Sequence, residues 1–155
     1  MTELRIKVGG REMTGILEEE KAPLTCEAFR KMLPLKSKVI HVRWSGEAVW
    51  IPYGEERLGL PYENNTSHPQ IGQMLLYIGG VSEMEILLPY GACCFSSCSG
   101  QLSGNHFLTI TEGKEYLEEM GKKTLWEGAQ EIEIEYRRRR KKYVSINSKR
   151  NSGNF

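Results

Sequence analysis

No apolar run in this chain approaches the roughly 18 uninterrupted residues that a membrane-spanning helix needs. The opening Met1-Thr2-Glu3-Leu4-Arg5-Ile6 also lacks the apolar stretch and small-residue cleavage site of a secretory signal. A cytoplasmic protein with no membrane partner is therefore expected. Nucleotide-cradling glycine loops, paired metal-ligand motifs and hydrolase-triad spacings are missing as well, so neither a metal nor a cofactor is expected. Acidic residues are absent from residues 137–155, which hold eight of the 21 basic ones. The formal net charge of +1 thus conceals a body near −7, with 13 basic against 20 acidic residues, joined to a basic tail. The six-residue basic run suits phosphates or an anionic surface, but a solvated tail or an intersubunit arm is the commoner use of such a run, so nucleic acid is not the expected partner. The tail, polar and without periodicity, is expected to be a solvated, disordered arm.

Cysteine is sparse, with Cys26, Cys93, Cys94 and Cys98 making four. Adjacent Cys93 and Cys94 point to opposite faces of any strand, and Cys94 and Cys98 have no second ligand pair to complete a zinc site. Free thiols in a reducing compartment are the expectation. A nucleophilic cysteine would need a base, and His106 is the nearest candidate in sequence.

At 155 residues, 39% hydrophobic and 26% charged, the chain can bury one core without staples. Residues 1–136 are read as the domain and 137–155 as the tail. Leu4 to Val8, a Gly9-Gly10 turn and Met13 to Leu17 form a hairpin. Pro23 starts a helix whose Cys26, Phe29, Met32 and Leu33 recur at helical spacing. In residues 37–44 the alternation places Ile40, Val42 and Trp44 on an apolar face and Val39, His41 and Arg43 opposite. Val49, Ile51 and Tyr53 alternate next, which puts Trp50 on the side of Arg43. Residues 54–70 read as loop, Gly72 to Tyr77 and Met84 to Leu88 as strands, and Ala92 to Ser103 as a small-residue segment suited to close backbone approach. Gly104 to Ile110 returns to strand. Thr111 is a candidate cap for a helix with Leu117, Met120, Gly121 and Leu125 on one face. Glu131 to Tyr136 alternates as a closing strand with an acidic outer face. Seven or eight strands with a helix near each end describe a closed barrel.

The segment Glu18 to Phe29 and the run Gly104-Asn105-His106-Phe107 resemble cyclophilins. A fuller resemblance, over about residues 3–135, is to an uncharacterised bacterial family of cyclophilin-like proteins. Ile40 to Trp50, Gly72 to Tyr77, Tyr90 to Cys93, Gly100 to Phe107 and Leu125 to Gln130 carry it. The implied fold is mainly β with two helices, a closed cyclophilin-like β-barrel. Peptidyl-prolyl isomerisation does not carry over. The cyclophilin arginine sits in Phe-His-Arg ahead of Gln-Gly-Gly-Asp, whereas this strand reads His41-Val42-Arg43-Trp44 and no such motif follows. His106 stands where a substrate-facing glutamine would be, and Leu108 replaces an aromatic.

The outer face of the barrel is the expected site. Arg43 would bind an anionic or carbonyl group, Glu47 and Glu63 would accept from an amide or amine, Trp50 and Tyr90 would wall the ligand, and Asn105 would orient it. A protein binding a small polar metabolite, a carboxylate or cyclic amide, is the leading reading. An enzyme acting on a small amide-type metabolite through Cys93 or His106 is the alternative, and an isomerase is a third. A homodimer is the expected assembly.

Overall fold

In a computed structural model, residues 1–138 are described. The expected basic tail lies outside the described residues from position 139 onward. Strands β1 (Glu3–Val8) and β2 (Arg11–Leu17) form the opening hairpin, with Ile6 opposite Met13. Gly9 and Gly10 turn the corner at φ +55° and +88°, the left-handed region that a two-residue hairpin turn requires. Then follow α1 (Pro23–Arg30), β3 (Leu35–His41), β4 (Gly46–Gly54), the short β5 (Asn65–Thr66), β6 (Gln73–Tyr77) and β7 (Met84–Cys93). A small hairpin of β8 (Ser96–Ser97) and β9 (Gly100–Gln101) precedes β10 (Gly104–Glu112), α2 (Leu117–Glu127) and β11 (Gln130–Tyr136).

Hydrogen-bonded neighbours run β2-β1-β11-β3-β4-β7-β6-β10, and β10 pairs back onto β2. Eight antiparallel strands therefore close into a barrel, leaving no long open edge. The barrel interior holds one core: Leu4, Ile6 and Val8 from β1, Val49 and Ile51 from β4, Ile86 and Leu88 from β7, and Ile132 and Ile134 from β11 are all at most 1% exposed. α1 adds Cys26 and Phe29, whose ring lies 4.8 Å from that of Phe107 on β10. α2 packs against β3, β4 and β7 and adds Leu117 and Met120.

A second, smaller core lies outside the barrel wall. Because side chains alternate across a strand, Ala48, Leu75, Tyr77 and Leu87 leave the wall on the side opposite the interior, where Phe95 and Leu102 cover them. Residues 93–102 are thus a lobe laid over the outer face of β4, β7 and β6.

Three local expectations are corrected. β3 turns Leu35 and Val39 inward, while Ile40 is 37% and Trp44 60% exposed. The strand ends at His41 and the chain leaves the sheet, so alternation stops governing Val42 to Trp44. Thr111 does not cap α2; its hydroxyl bonds the Thr14 carbonyl, and a single 3₁₀ turn at Lys114–Tyr116 leads into the helix. In α2 the buried stripe is Leu117, Met120, Gly121 and Thr124, a spacing of i, i+3, i+4 and i+7. Leu125 falls one residue past it and is half exposed.

Candidate functional site

A groove of about 330 Å³ opens on the outer face where the end of β3, the β3–β4 turn, the start of β7 and the 96–98 hairpin meet. Arg43, Trp44, Trp50, Glu83, Glu85 and Cys98 are among its lining side chains. Three hydrogen bonds hold its walls together. Ser45, 4% exposed, donates its hydroxyl to the Ser96 carbonyl at 3.1 Å and accepts from the Ser96 N–H at 3.0 Å. The Cys94 N–H bonds the Ser45 carbonyl at 2.9 Å. The turn that carries Arg43 is therefore tied to the lobe that carries Cys98.

Each lining group has a definite chemical state. Arg5, Arg11, Arg30, Arg57 and Arg137 have carboxylate partners. Arg43 is exposed and has none among the described residues. Trp50 is half buried, rooted in the outer core and facing the groove. Glu85 is 6% exposed, and its carboxyl takes part in no hydrogen bond or ion pair among the described residues. The Tyr53 hydroxyl is the wholly buried, unpartnered side-chain polar atom there, so the unpaired Glu85 oxygens still reach the groove. Burial, helped by the neighbouring Glu83 carboxylate, pushes the Glu85 carboxyl up to about 8. At neutral pH it is a neutral acid that can both donate and accept.

Of the residues singled out by sequence, Arg43 and Trp50 meet in this groove. The others have duties elsewhere. Glu47 is exposed and accepts from the Ala92 N–H at 3.0 Å, where the glycine at position 91 leaves it room. Glu63 accepts from the Thr25 N–H and hydroxyl, both at 2.7 Å, which sets a carboxylate on the N-terminus of α1. Asn105, fully buried, donates to the Pro61 carbonyl and the Thr25 hydroxyl at 3.0 Å and accepts from the Glu63 N–H at 3.1 Å. It fastens the 55–64 loop to the barrel. Tyr90, 4% exposed, faces the interior core and shares a 2.7 Å hydrogen bond with His41 Nε2.

Cys93 lies beside a different depression, with Pro69, Ile71 and Lys114. Burial pushes its thiol up to about 12, with Cys94 and Glu85 adding to the shift, and no histidine bonds it. His106 is half buried on β10, with Nε2 2.7 Å from the Thr109 hydroxyl, which in turn donates to Glu18 at 3.3 Å. Burial lowers its pKa below the ordinary histidine value. Cys93 and His106 are thus not brought into one hydrogen-bonded pair.

A wider depression of about 650 Å³ on β3 and β11 is a poorer candidate. Its lysines and glutamates offset one another, as in the Lys36–Glu133 pair at 3.8 Å, and no buried polar group faces it. Among the described residues no group of three His, Cys, Asp or Glu side chains is placed to hold a metal ion, and no helix is long and apolar enough to cross a membrane.

Glu85 is the residue that sequence reasoning passed over. The signal was present: Ile86-Leu87-Leu88 shows no alternation, which marks a strand covered on both faces. A glutamate in such a strand has to be buried wherever its side chain points.

A closed antiparallel barrel with a polar groove on its outer wall is the class of protein that this fold and site define. The chain belongs to DUF3830, a family of proteins of unknown function, which matches residues 4–136. No curated protein matches it in sequence. Among solved structures it is similar to McbB in complex with tryptophan, at 16% identity and a TM-score of 0.66 over 89% of this chain and 46% of that one. The chain thus spans about half the length of McbB. It is also similar to the hypothetical protein AF2241 from Archaeoglobus fulgidus, solved in solution, at 20% identity and a TM-score of 0.55 over 88% of this chain and 95% of that one. At these identities the likeness is one of fold.

Proposed function

We propose that this barrel binds a small polar metabolite bearing a carboxylate in the outer-face groove. One observation carries the reading: Arg43, Trp50 and the unpaired Glu85 line the same cavity. Small-molecule sites combine apolar walls with a few convergent polar groups, and about 330 Å³ lies at the small end of their range. A guanidinium without a partner among the described residues offers two parallel N–H donors to a carboxylate. Trp50 supplies a flat wall, and the neutral Glu85 acid offers a donor and an acceptor to whatever polar group lies opposite the carboxylate.

The resemblance to cyclophilins supports a cyclophilin-like kinship of the barrel rather than isomerase activity, because Arg43 lies here beside an acid and two tryptophans. The catalytic alternative has less support, since Cys93 is held as a thiol and His106 is engaged with Thr109. A homodimer belongs to the same reading, and the exposed Leu125 and Trp126 of α2 offer an apolar surface for it.

Thermal shift of the wild-type and Arg43→Ala proteins against carboxylates, cyclic amides and proline peptides tests the site. A ligand at about 100 times its Kd adds roughly 2.7 kcal/mol. That corresponds to a shift of about 5–10 °C for a domain of this size. The shift is expected with carboxylates and is lost in the variant. A shift that survives Arg43→Ala, or none with any compound, overturns the assignment.

A further inference from the structure

We infer that the groove selects a ligand carrying an amine together with its carboxylate, the carboxylate on Arg43 and the amine against the unpaired Glu85. This rests on the reading above and adds the second half of the ligand. The groove offers two complementary groups that no described residue engages: the guanidinium of Arg43 and the carboxyl of Glu85. Other partly buried carboxylates are engaged, Glu63 by the start of α1, Glu19 by Arg30 and Thr2, and Glu18 by Thr109. Glu85 is more deeply buried than any of them and has no such partner among the described residues.

Its surroundings explain why the fold leaves it unpaired. On the neighbouring strands its register partners are Pro52, whose side chain carries no polar group, and Tyr77, whose hydroxyl takes the Val81 N–H at 3.1 Å. The charged and titratable groups around it are Glu83 on the approach to β7, Arg43 and His41 from β3 and its turn, Cys98 from the hairpin and Cys93 at the end of β7. His41 is committed to the Tyr90 hydroxyl and the Val42 carbonyl. Glu83 opposes ionisation of Glu85, and Arg43 is not within ion-pair distance. Among the described residues no cation therefore compensates the charge, and the carboxyl keeps its proton at neutral pH.

An ammonium group placed against that carboxyl supplies the missing charge. The carboxylic acid and the ammonium become a carboxylate–ammonium pair, and the proton leaves to solvent. A carboxylate lacking the amine gains nothing from this step and meets like charge once Glu85 ionises. The two ligand types consequently respond to pH in opposite directions. With the Glu85 carboxyl near 8, affinity for the amine-bearing ligand rises about 50-fold from pH 6 to pH 8, because the binding-competent ionised fraction rises by that factor.

Titration calorimetry on the full chain with a matched set, phenylalanine, 3-phenylpropionate and phenethylamine, tests this. The titrations run at pH 6, 7 and 8 in two buffers of different ionisation enthalpy. Phenylalanine is expected to bind most tightly, to gain about 50-fold across that range, and to release close to one proton per site at pH 7. 3-Phenylpropionate should bind more weakly, with affinity flat or falling as pH rises. In Glu85→Gln the preference for phenylalanine over 3-phenylpropionate and the proton release both disappear. The proton count is read on the wild-type protein, so the test survives a variant that folds poorly. Equal affinity for phenylalanine and 3-phenylpropionate with no proton released overturns this inference and leaves the carboxylate reading standing. Binding by none of the three overturns both.

Discussion

Replacing Glu85 by glutamine should stabilise this protein above neutral pH. The side chain is 6% exposed, and its carboxyl is held near 8 in the folded state against an ordinary value of 4.5. Below 4.5 both folded and unfolded chains carry the proton. Between 4.5 and 8 the folded chain carries it and the unfolded chain does not, so stability falls as pH rises; above 8 both are ionised and the loss is complete. At 1.36 kcal/mol per unit, the full loss is about 4–5 kcal/mol, and about 3 kcal/mol of it is already present at pH 7. Glutamine keeps nearly the same shape and does not titrate. Urea unfolding at pH 5 should find the two proteins within about 1 kcal/mol, and at pH 8 should find Glu85→Gln the more stable by about 3–4 kcal/mol. Other titrating groups are common to both proteins and cancel in the difference. Stability curves that run parallel from pH 5 to pH 8 would refute the argument, since Glu85 would then ionise as freely folded as unfolded. The expected result is a buried acid retained against stability, the trade commonly found at functional sites and the one the proposed binding role calls for.

Two further outcomes follow from the packing. A β-carbon at Gly121 would overlap the ring of Tyr90, which is buried and held by His41. Alanine there gains up to about 1 kcal/mol of helix propensity against an overpacking cost of about 1–3 kcal/mol, so Gly121→Ala should lower the urea midpoint, and a higher one would mean α2 does not rest on Tyr90. Thiol titration of the native protein should modify exposed Cys98 first and leave Cys26 and Cys93 unreacted, because burial pushes both of those thiols up to about 12. Fast alkylation of the half-buried Cys93 would contradict a thiol pushed up to about 12.

Much of the barrel was legible one strand at a time. The opening hairpin, the helix after Pro23 and the last strand each carry a local pattern that no distant contact has to correct: Ile132 and Ile134 face inward as alternation requires. Reading failed where the chain changes course. Val42 to Trp44 were assigned faces by a period that ends with β3 at His41. His106 could not be placed from its neighbours, because a bulge against β6 between His106 and Leu108 sends both Phe107 and Leu108 inward.

The candidate site divides in the same way. Arg43 and Trp50 were read as sharing one side of adjacent strands and do meet in the groove, but Arg43 reaches it from the turn after β3 and not from the strand. Glu47, Glu63, Tyr90 and Asn105 have equally suitable chemistry, yet their partners lie across the fold: Ala92, the start of α1, His41 and the Pro61 carbonyl. A polar side chain advertises what it can bond but not whether the fold has already bonded it.

From its own pattern the chain determined strand character, turn positions and an apolar set sufficient for one closed barrel, because those depend on interactions between residues close in sequence or on a period of two. Tertiary structure decided which polar groups were left over. Folding the 93–102 lobe onto the outer wall buries Glu85 among Trp50, Leu87 and the hairpin, with no partner for its carboxyl among the described residues. That condition, a carboxyl desolvated without compensation, is a property of the assembled surroundings, and no single stretch of sequence contains it.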